Sequence, residues 1–190
     1  MSRRATSRAR HLVRWVGAAV GVVLVVVAVV LATRPPEQAA QANSRLVGQR
    51  APAISATSFN GSRVTLGQFR GRYVFVNFFA SWCGPCQQEA PALVAFAFAQ
   101  SRLAGGAALV SVDFADTASG ARRFLATYGP TWPSLTDPGG TIAYDYGVSS
   151  PPTTFLITPS GKVFSELVGP VTAAQLTSQL ASARTAGQAR

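Results

Sequence analysis

YVFVNFFASWCGPCQQEAPALVAF, residues 73–96, decides the fold. Its first eight residues, 73–80, form a continuous β-branched and aromatic run, the pattern of a central strand buried on both faces. From about residue 85 to residue 103 the pattern is helical, with Leu93, Val94 and Phe96 on the apolar side, and Gly105-Gly106 ends it. Between the two lies Trp82-Cys83-Gly84-Pro85-Cys86. The first cysteine therefore falls at a strand-to-helix junction, where open α/β sheets gather their sites.

The elements on either side fit one frame. Residues 54–59 and 63–66 flank Asn60-Gly61, two residues that tolerate positive φ in a tight hairpin turn. Residues 107–114 are a second buried strand, and 119–128 a helix closed by Gly129-Pro130. A shorter helix is expected at 141–146. Residues 153–158 and 162–168 are two strands joined through Pro159-Ser160-Gly161, short enough for an antiparallel hairpin. A last helix starts at Thr172, where Thr172-x-x-Gln175 is a capping-box pattern. The order ββ–βα–βα–α–ββ–α predicts an α/β domain over 46–190, with a central mixed β-sheet flanked by helices. At 190 residues, one domain is expected.

The N-terminus has a different character. Residues 15–33, WVGAAVGVVLVVVAVVLAT, carry no charge, and as a helix they extend about 28 Å, close to the ~30 Å hydrocarbon core of a bilayer. Upstream, the flank 1–14 holds Arg3, Arg4, Arg8, Arg10 and Arg14 and no acid, which predicts a cytoplasmic N-terminus and an extracytoplasmic remainder. A transmembrane signal anchor at 15–33 is the expectation, attaching the chain to the lipid bilayer; a cleaved secretory signal is the alternative, with secretion of the domain. Residues 34–45 read as a polar linker, because Pro35 and Pro36 stop a helix. Residues 1–34 account for +6 of the net charge of +10, leaving 11 basic residues against 7 acidic ones. An excess of +4 is no nucleic-acid footprint, so no nucleic-acid partner is expected; pairs such as Arg70/Arg72 and Arg122/Arg123 read as solvated surface.

Cys83 and Cys86 are the two cysteines of the chain, and His11 is its one histidine. A zinc site lacks ligands, and covalent haem attachment lacks a histidine at position 87, which is glutamine. No metal or organic cofactor is expected. A purely structural disulfide closing so short a loop removes little unfolded-state entropy. The spacing fits a dithiol switch. At a helix N-terminus Cys83 faces orphan N–H groups that stabilise a thiolate, and Cys86, one turn on, can resolve a mixed disulfide. Pro85 sits where its missing N–H is not needed. Trp82 either shields one side of the sulfur or packs in the core.

Two stretches carry a family likeness: VGQRAPAISATSFNGSRVTLGQFRGRYVFVNFFASWCGPCQQEAPALVAF at 47–96 and GVSSPPTTFLITPSGKV at 147–163. Over residues 46–183 the chain resembles the membrane-anchored thioredoxin-like proteins of bacteria, the TlpA, ResA and CcmG/DsbE group. The resemblance implies a thioredoxin-like fold with an N-terminal β-hairpin and a central insertion at 113–147. It implies that Cys83 attacks and Cys86 resolves, with Gly84 and Pro85 between them. It implies that Pro152 is a cis-proline lying against the dithiol; Pro151 before it has no N–H for a substrate segment and offers only its carbonyl. Cytoplasmic thioredoxins carry a buried aspartate six residues before the first cysteine, where this chain has Asn77. Glu89 matches a glutamate close to the dithiol, a proton acceptor for Cys86 that raises the thiol pKa values by like-charge repulsion. Its alternative is an exposed first-turn glutamate held by the helix dipole. Asp113 and Asp116 read as surface or capping residues.

The implied function is thiol–disulfide exchange outside the cytoplasm. A reductase of exported protein disulfides is favoured, such as the haem-binding CxxC of apocytochrome c in cytochrome c maturation, with a membrane electron donor keeping it reduced. A DsbE-like oxidant of exported proteins is the second expectation. A peroxiredoxin-like peroxide reductase lacks a threonine three residues ahead of the cysteine, where Ala80 stands. A non-catalytic binding module is the remaining alternative.

Overall fold

The computed structural model describes residues 5–33, 40–41 and 44–188. They divide between two compact units, Met1–Pro36 and Glu37–Arg190. The described residues of the first form one helix, α1 (Ala5–Thr33). The expectation of a transmembrane helix at 15–33 is not supported: among the described residues no helix is long and apolar enough to cross a membrane. The uncharged side chains described there run over residues 15–29, about 22 Å of helix against a ~30 Å hydrocarbon core. The rest of the expected span has no described side chains.

In the second unit the expected linker is corrected. Residues 34–39 and 42–43 lie outside the described residues, but β1 (Ala40–Gln41) is a strand. It pairs antiparallel with β8 (Val163–Val168), setting Ala40 opposite Val168 and Gln41 opposite Leu167. The remaining elements are β2 (Ser55–Thr57), β3 (Arg63–Thr65), a 3-10 turn at Leu66–Phe69, β4 (Val74–Phe79), α2 (Gly84–Ser101), β5 (Ala108–Asp113), α3 (Ala118–Tyr128), β6 (Ser134–Leu135), α4 (Thr141–Asp145), β7 (Thr153–Ile157) and α5 (Ala173–Gln188). Among the described residues the main sheet has six strands in the order β1-β8-β7-β4-β5-β6, and β2-β3 form a separate hairpin. Strands β4, β5 and β6 are parallel, whereas β7 and β8 run antiparallel to their neighbours. This is the thioredoxin-like α/β fold with its mixed central sheet.

Side-chain alternation explains why β4 is apolar at five of its six positions: successive residues point to opposite faces, and both are covered. Val74, Val76 and Phe78 enter one core with Val110, Val112, Phe155 and the hairpin's Val64. Phe75 enters the other with Leu93 and Phe96 of α2 and with Leu176 and Leu180 of α5. Phe75 meets Phe96 edge-on with ring centroids 5.1 Å apart. The same parity sends Asn77, the one polar residue of β4, to the α2 side. Two details differ from expectation. In the β2–β3 turn only Gly61 has positive φ, +89°, while Asn60 contributes its side chain, whose Oδ1 accepts from Ser62 N at 3.1 Å. Strand β6, unforeseen, is two residues long and joins the sheet by pairing Ser134 and Leu135 with Ser111 and Val112. The capping box at Thr172 is formed: Gln175 N donates to Thr172 Oγ1 at 3.1 Å, and Thr172 N to Gln175 Oε1 at 2.9 Å.

Candidate active site

Strand β4 ends at Phe79, and the chain turns through Ala80–Ser81–Trp82 into α2, whose N-cap is Cys83. Pro85 occupies the first turn, where no helical N–H partner is needed. Cys83 and Cys86 form a disulfide with Cα atoms 5.2 Å apart. The N–H of Cys86 donates to Cys83 Sγ at 3.1 Å, so an orphan donor of the helix start points at this sulfur. Such a donor, together with the helix dipole, favours negative charge on Cys83 once the bond is reduced. Cys83 is 4% exposed and Cys86 1%, which leaves Cys83 the more accessible of two buried sulfurs. Gly84 borders open space, and a Cβ there would meet nothing within 4 Å. Close packing therefore does not require glycine at this position.

Below the dithiol lies a buried carboxyl. Glu89, three residues after Cys86 on the same helical face, is 2% exposed. Its Oε1 accepts from Asn77 Nδ2 at 2.8 Å, and its Oε2 accepts from the Val171 N–H at 2.8 Å. Burial pushes its pKa up to about 7, against the pull of these two donors. The exposed-glutamate alternative is thereby excluded. Asn77 Nδ2 also donates to Thr154 Oγ1 at 3.0 Å, while Asn77 Oδ1 is buried without a partner among the described residues. Asn77, Cys86, Glu89 and Ser111 line one cavity of about 20 Å³, the size of a single water site. Val171 and Thr154 carry no sequence signal, because one acts through its backbone and the other depends on sheet register.

The peptide bond between Pro151 and Pro152 is cis, as the resemblance implies. Pairing of Phe78 with Thr153 sets Pro152 beside the end of β4 that leads to the cysteines. Pro152 is buried, and its carbonyl accepts from Gly169 N at 2.9 Å; Pro151 is half-buried.

The loop after β5 grips the cysteine loop from the other side. Asp116 Oδ2 accepts from Ser81 N at 2.6 Å and its Oδ1 from Thr117 N at 2.6 Å, so it tethers the two loops, while the N-cap of α3 is Thr117. Trp82 is 59% exposed and donates its indole N–H to the Ala115 carbonyl at 3.2 Å, so it is no core residue. Ala115 holds φ at +46°, a left-handed conformation unusual for a residue with a Cβ. Asp113 corrects the expectation of a surface acid: it is 7% exposed, and burial, then the charges of Asp116 and Asp137, raise its pKa to about 7. Among the described residues no group of three or more histidine, cysteine or acidic side chains could hold a metal.

Residues 47–165 match the AhpC/TSA family, more than half of the chain. The chain belongs to the AhpC/TSA family. Within it, the chain is 34% identical over 130 residues to the thiol-disulfide oxidoreductase ResA of Bacillus thuringiensis, covering 68% of this chain and 74% of that protein. It is 34% identical over 131 residues to the DsbE homolog, a thiol:disulfide interchange protein, of Paracoccus denitrificans, covering 67% and 69%. Among solved structures, a DsbE-type thiol:disulfide interchange protein from Chlorobium tepidum superposes with a TM-score of 0.64 at 33% identity, covering 70% of this chain and 94% of that one. This AhpC/TSA member is a thiol–disulfide oxidoreductase of the ResA/DsbE type. Ala80 is fully buried and has no hydroxyl to offer a peroxide ahead of Cys83.

Proposed function

We propose that this oxidoreductase works outside the cytoplasm as a reductase of disulfides in exported proteins. One observation carries the direction: a buried carboxyl, Glu89, shares a cavity with Cys86. A strong oxidant of the DsbA kind owes its potential near −120 mV to a stabilised reduced form. A carboxylate beside the pair disfavours the thiolate and tips the balance toward giving electrons away. The extracytoplasmic location rests on the arginine-rich flank and the uncharged residues 15–33.

In the proposed cycle the Cys83 thiolate attacks one sulfur of a substrate disulfide. A Cys83–substrate bond forms, and the other substrate sulfur leaves as a thiolate that takes a proton from solvent. Cys86 then gives its proton to Glu89 and attacks Cys83 Sγ. The second substrate thiolate leaves, and Cys83–Cys86 closes with two electrons passed to the substrate. A thiol-bearing donor at the membrane restores the dithiol by the reverse exchange. The proposed rim for the substrate is the exposed Trp82 together with the cis Pro151–Pro152 loop at the same end of the sheet. The CxxC of apocytochrome c, reduced before haem attachment, is the proposed substrate.

A Cys86→Ser variant tests the reading, because it halts the cycle at the mixed disulfide. Expressed as the full chain, it is expected to retain exported proteins as dithiothreitol-sensitive adducts, apocytochrome c among them. Absence of adducts would contradict the cycle, and adducts without apocytochrome c would contradict that substrate alone. Fractionation of the same cells locates the domain; recovery in the cytoplasm would contradict export.

A further inference from the structure

At the end of the sheet away from the dithiol, three arginines from two separate segments come together. Strand β4 runs from this end toward Cys83, and Arg70 and Arg72 immediately precede it. Arg50 is brought alongside by a bridge to Lys162, and the next residue, Ala51, donates its N–H to Gly161 O at 2.9 Å. Arg50, Arg70 and Arg72 line one cavity of about 180 Å³, floored by apolar groups that include Leu66, Phe69 and Ile157. Arg50, Arg70 and Arg72 are exposed, as expected of solvated surface, and the fold adds that they share the wall of one open cavity.

Charge and hydrogen bonding both leave the cavity cationic. None of the six described acids, Glu89, Asp113, Asp116, Asp137, Asp145 and Glu166, lines it. Glu89, Asp113 and Asp116 belong to the opposite, dithiol end of the sheet. Among the described residues Arg50 and Arg70 have neither a hydrogen bond nor an ion pair through their side chains. Arg72 is partly fixed: its Nε and Nη2 donate to the Gly106 carbonyl at 3.2 and 2.8 Å, which leaves Nη1 unengaged. A guanidinium braced in this way loses little freedom when it takes an anion. Gathering three like charges without a counter-charge is unfavourable unless solvent or an anion offsets it. The volume is below the roughly 300–1,000 Å³ of sites for drug-sized ligands, and it suits a small polyatomic anion. Arginine forks match phosphate oxygens bidentately, and three positive charges favour a dianion over a monocarboxylate.

We propose that the cavity walled by Arg50, Arg70 and Arg72 is a binding site for an oxyanion of the phosphate class. The anion sits over the apolar floor with its oxygens toward the arginines, at the end of the domain remote from the sulfur chemistry. The site is independent of the direction of electron flow. Free phosphate brings up to two negative charges and no apolar chains, a phospholipid diester one negative charge and apolar chains; both offer non-bridging phosphate oxygens to the arginine forks.

Thermal unfolding of the full chain tests the site. Inorganic phosphate is titrated against chloride at constant ionic strength, and dihexanoyl-phosphatidylglycerol against dihexanoyl-phosphatidylcholine. A saturable rise in Tm of about 3 °C is expected from phosphate, phosphatidylglycerol or both. Arg50→Gln and Arg70→Gln are each expected to remove at least half of it, while Arg123→Gln on α3 retains it. A rise with phosphate alone identifies a free anion, and a rise with phosphatidylglycerol alone a lipid headgroup; both support the site. Absence of a saturable rise in either arm, or a rise unchanged in both arginine variants, would overturn it. If one variant fails to fold in chloride, the other decides.

Discussion

Asn77 donates one amide hydrogen bond to Glu89 Oε1 at 2.8 Å and another to Thr154 Oγ1 at 3.0 Å. A single side chain thus ties the central strand both to the helix carrying Cys86 and to the strand that follows the cis-proline. Two features of sequence favour this contact. Residue 77 has the parity that faces α2, and Glu89 lies three residues beyond Cys86 on the helical face turned back toward β4. The carboxyl is thereby held in place, buried, and left with a pKa near neutrality.

The first prediction concerns that carboxyl. Its folded pKa of about 7 lies above the ordinary value of 4.5. The folded protein then binds more protons than the unfolded chain between these values, and stability falls as pH rises through the window. Glu89→Gln is expected to abolish a loss on the order of 3 kcal/mol between pH 4.5 and 7.5, measured by urea unfolding. The amide is accommodated: its oxygen can accept from Val171 N, and its NH₂ can donate to Asn77 Oδ1 after an amide flip. Without a proton acceptor for Cys86, resolution of the mixed disulfide is expected to slow by about 10²-fold in stopped flow.

Asp113 gives a second pH signature with no expected cost in exchange activity. Its carboxyl is buried, one oxygen has no partner among the described residues, and the charges of Asp116 and Asp137 lie near. Its raised pKa penalises the folded state only once pH climbs above the ordinary aspartate range. Asp113→Asn is expected to match the parent at pH 4 and to exceed it by about 1–2 kcal/mol at pH 8. Equal stability at pH 8 would show the carboxylate to be solvated.

The first turn of α3 approaches the cysteine loop too closely for a side chain. A Cβ at Gly120 would lie 2.5 Å from Ser81 Oγ, 2.7 Å from Asp116 Oδ1 and 2.9 Å from Thr117 Oγ1. The threonine oxygen also caps the helix by accepting from Gly120 N at 3.1 Å. Gly120→Ala is expected to cost about 1–3 kcal/mol in chemical denaturation, through overpacking and loss of this cap. Because Asp116 holds Ser81, the same change is expected to alter the fluorescence of Trp82.

Much of the architecture was readable in advance, for physical reasons particular to each element. The run at 73–80 and the helix after Cys86 announce themselves by hydrophobic period, and the 153–168 hairpin by its turn residues. Strands β1 and β6 are two residues each, defined by partners on β8 and β5 rather than by local pattern, so no periodicity marks them. Cys83, Cys86 and the cis-proline are visible through motif and resemblance. The Val171 amide that completes the glutamate's environment is a backbone group and has no signature. The burial of Asp113 has no sequence signal because, as the last residue of β5, it is covered by neighbours that meet it only in the fold. The arginine cavity joins residues 50 and 70–72, a juxtaposition made by tertiary structure alone.

The reduction potential of the Cys83/Cys86 pair tests the central claim most directly. Equilibration of the full chain with glutathione or dithiothreitol buffers at pH 7, read by thiol alkylation, measures it. A dithiol disfavoured as thiolate by a buried carboxyl is expected near the thioredoxin value of about −270 mV. A potential well above about −200 mV, toward that of a strong oxidant, would contradict the reductase account.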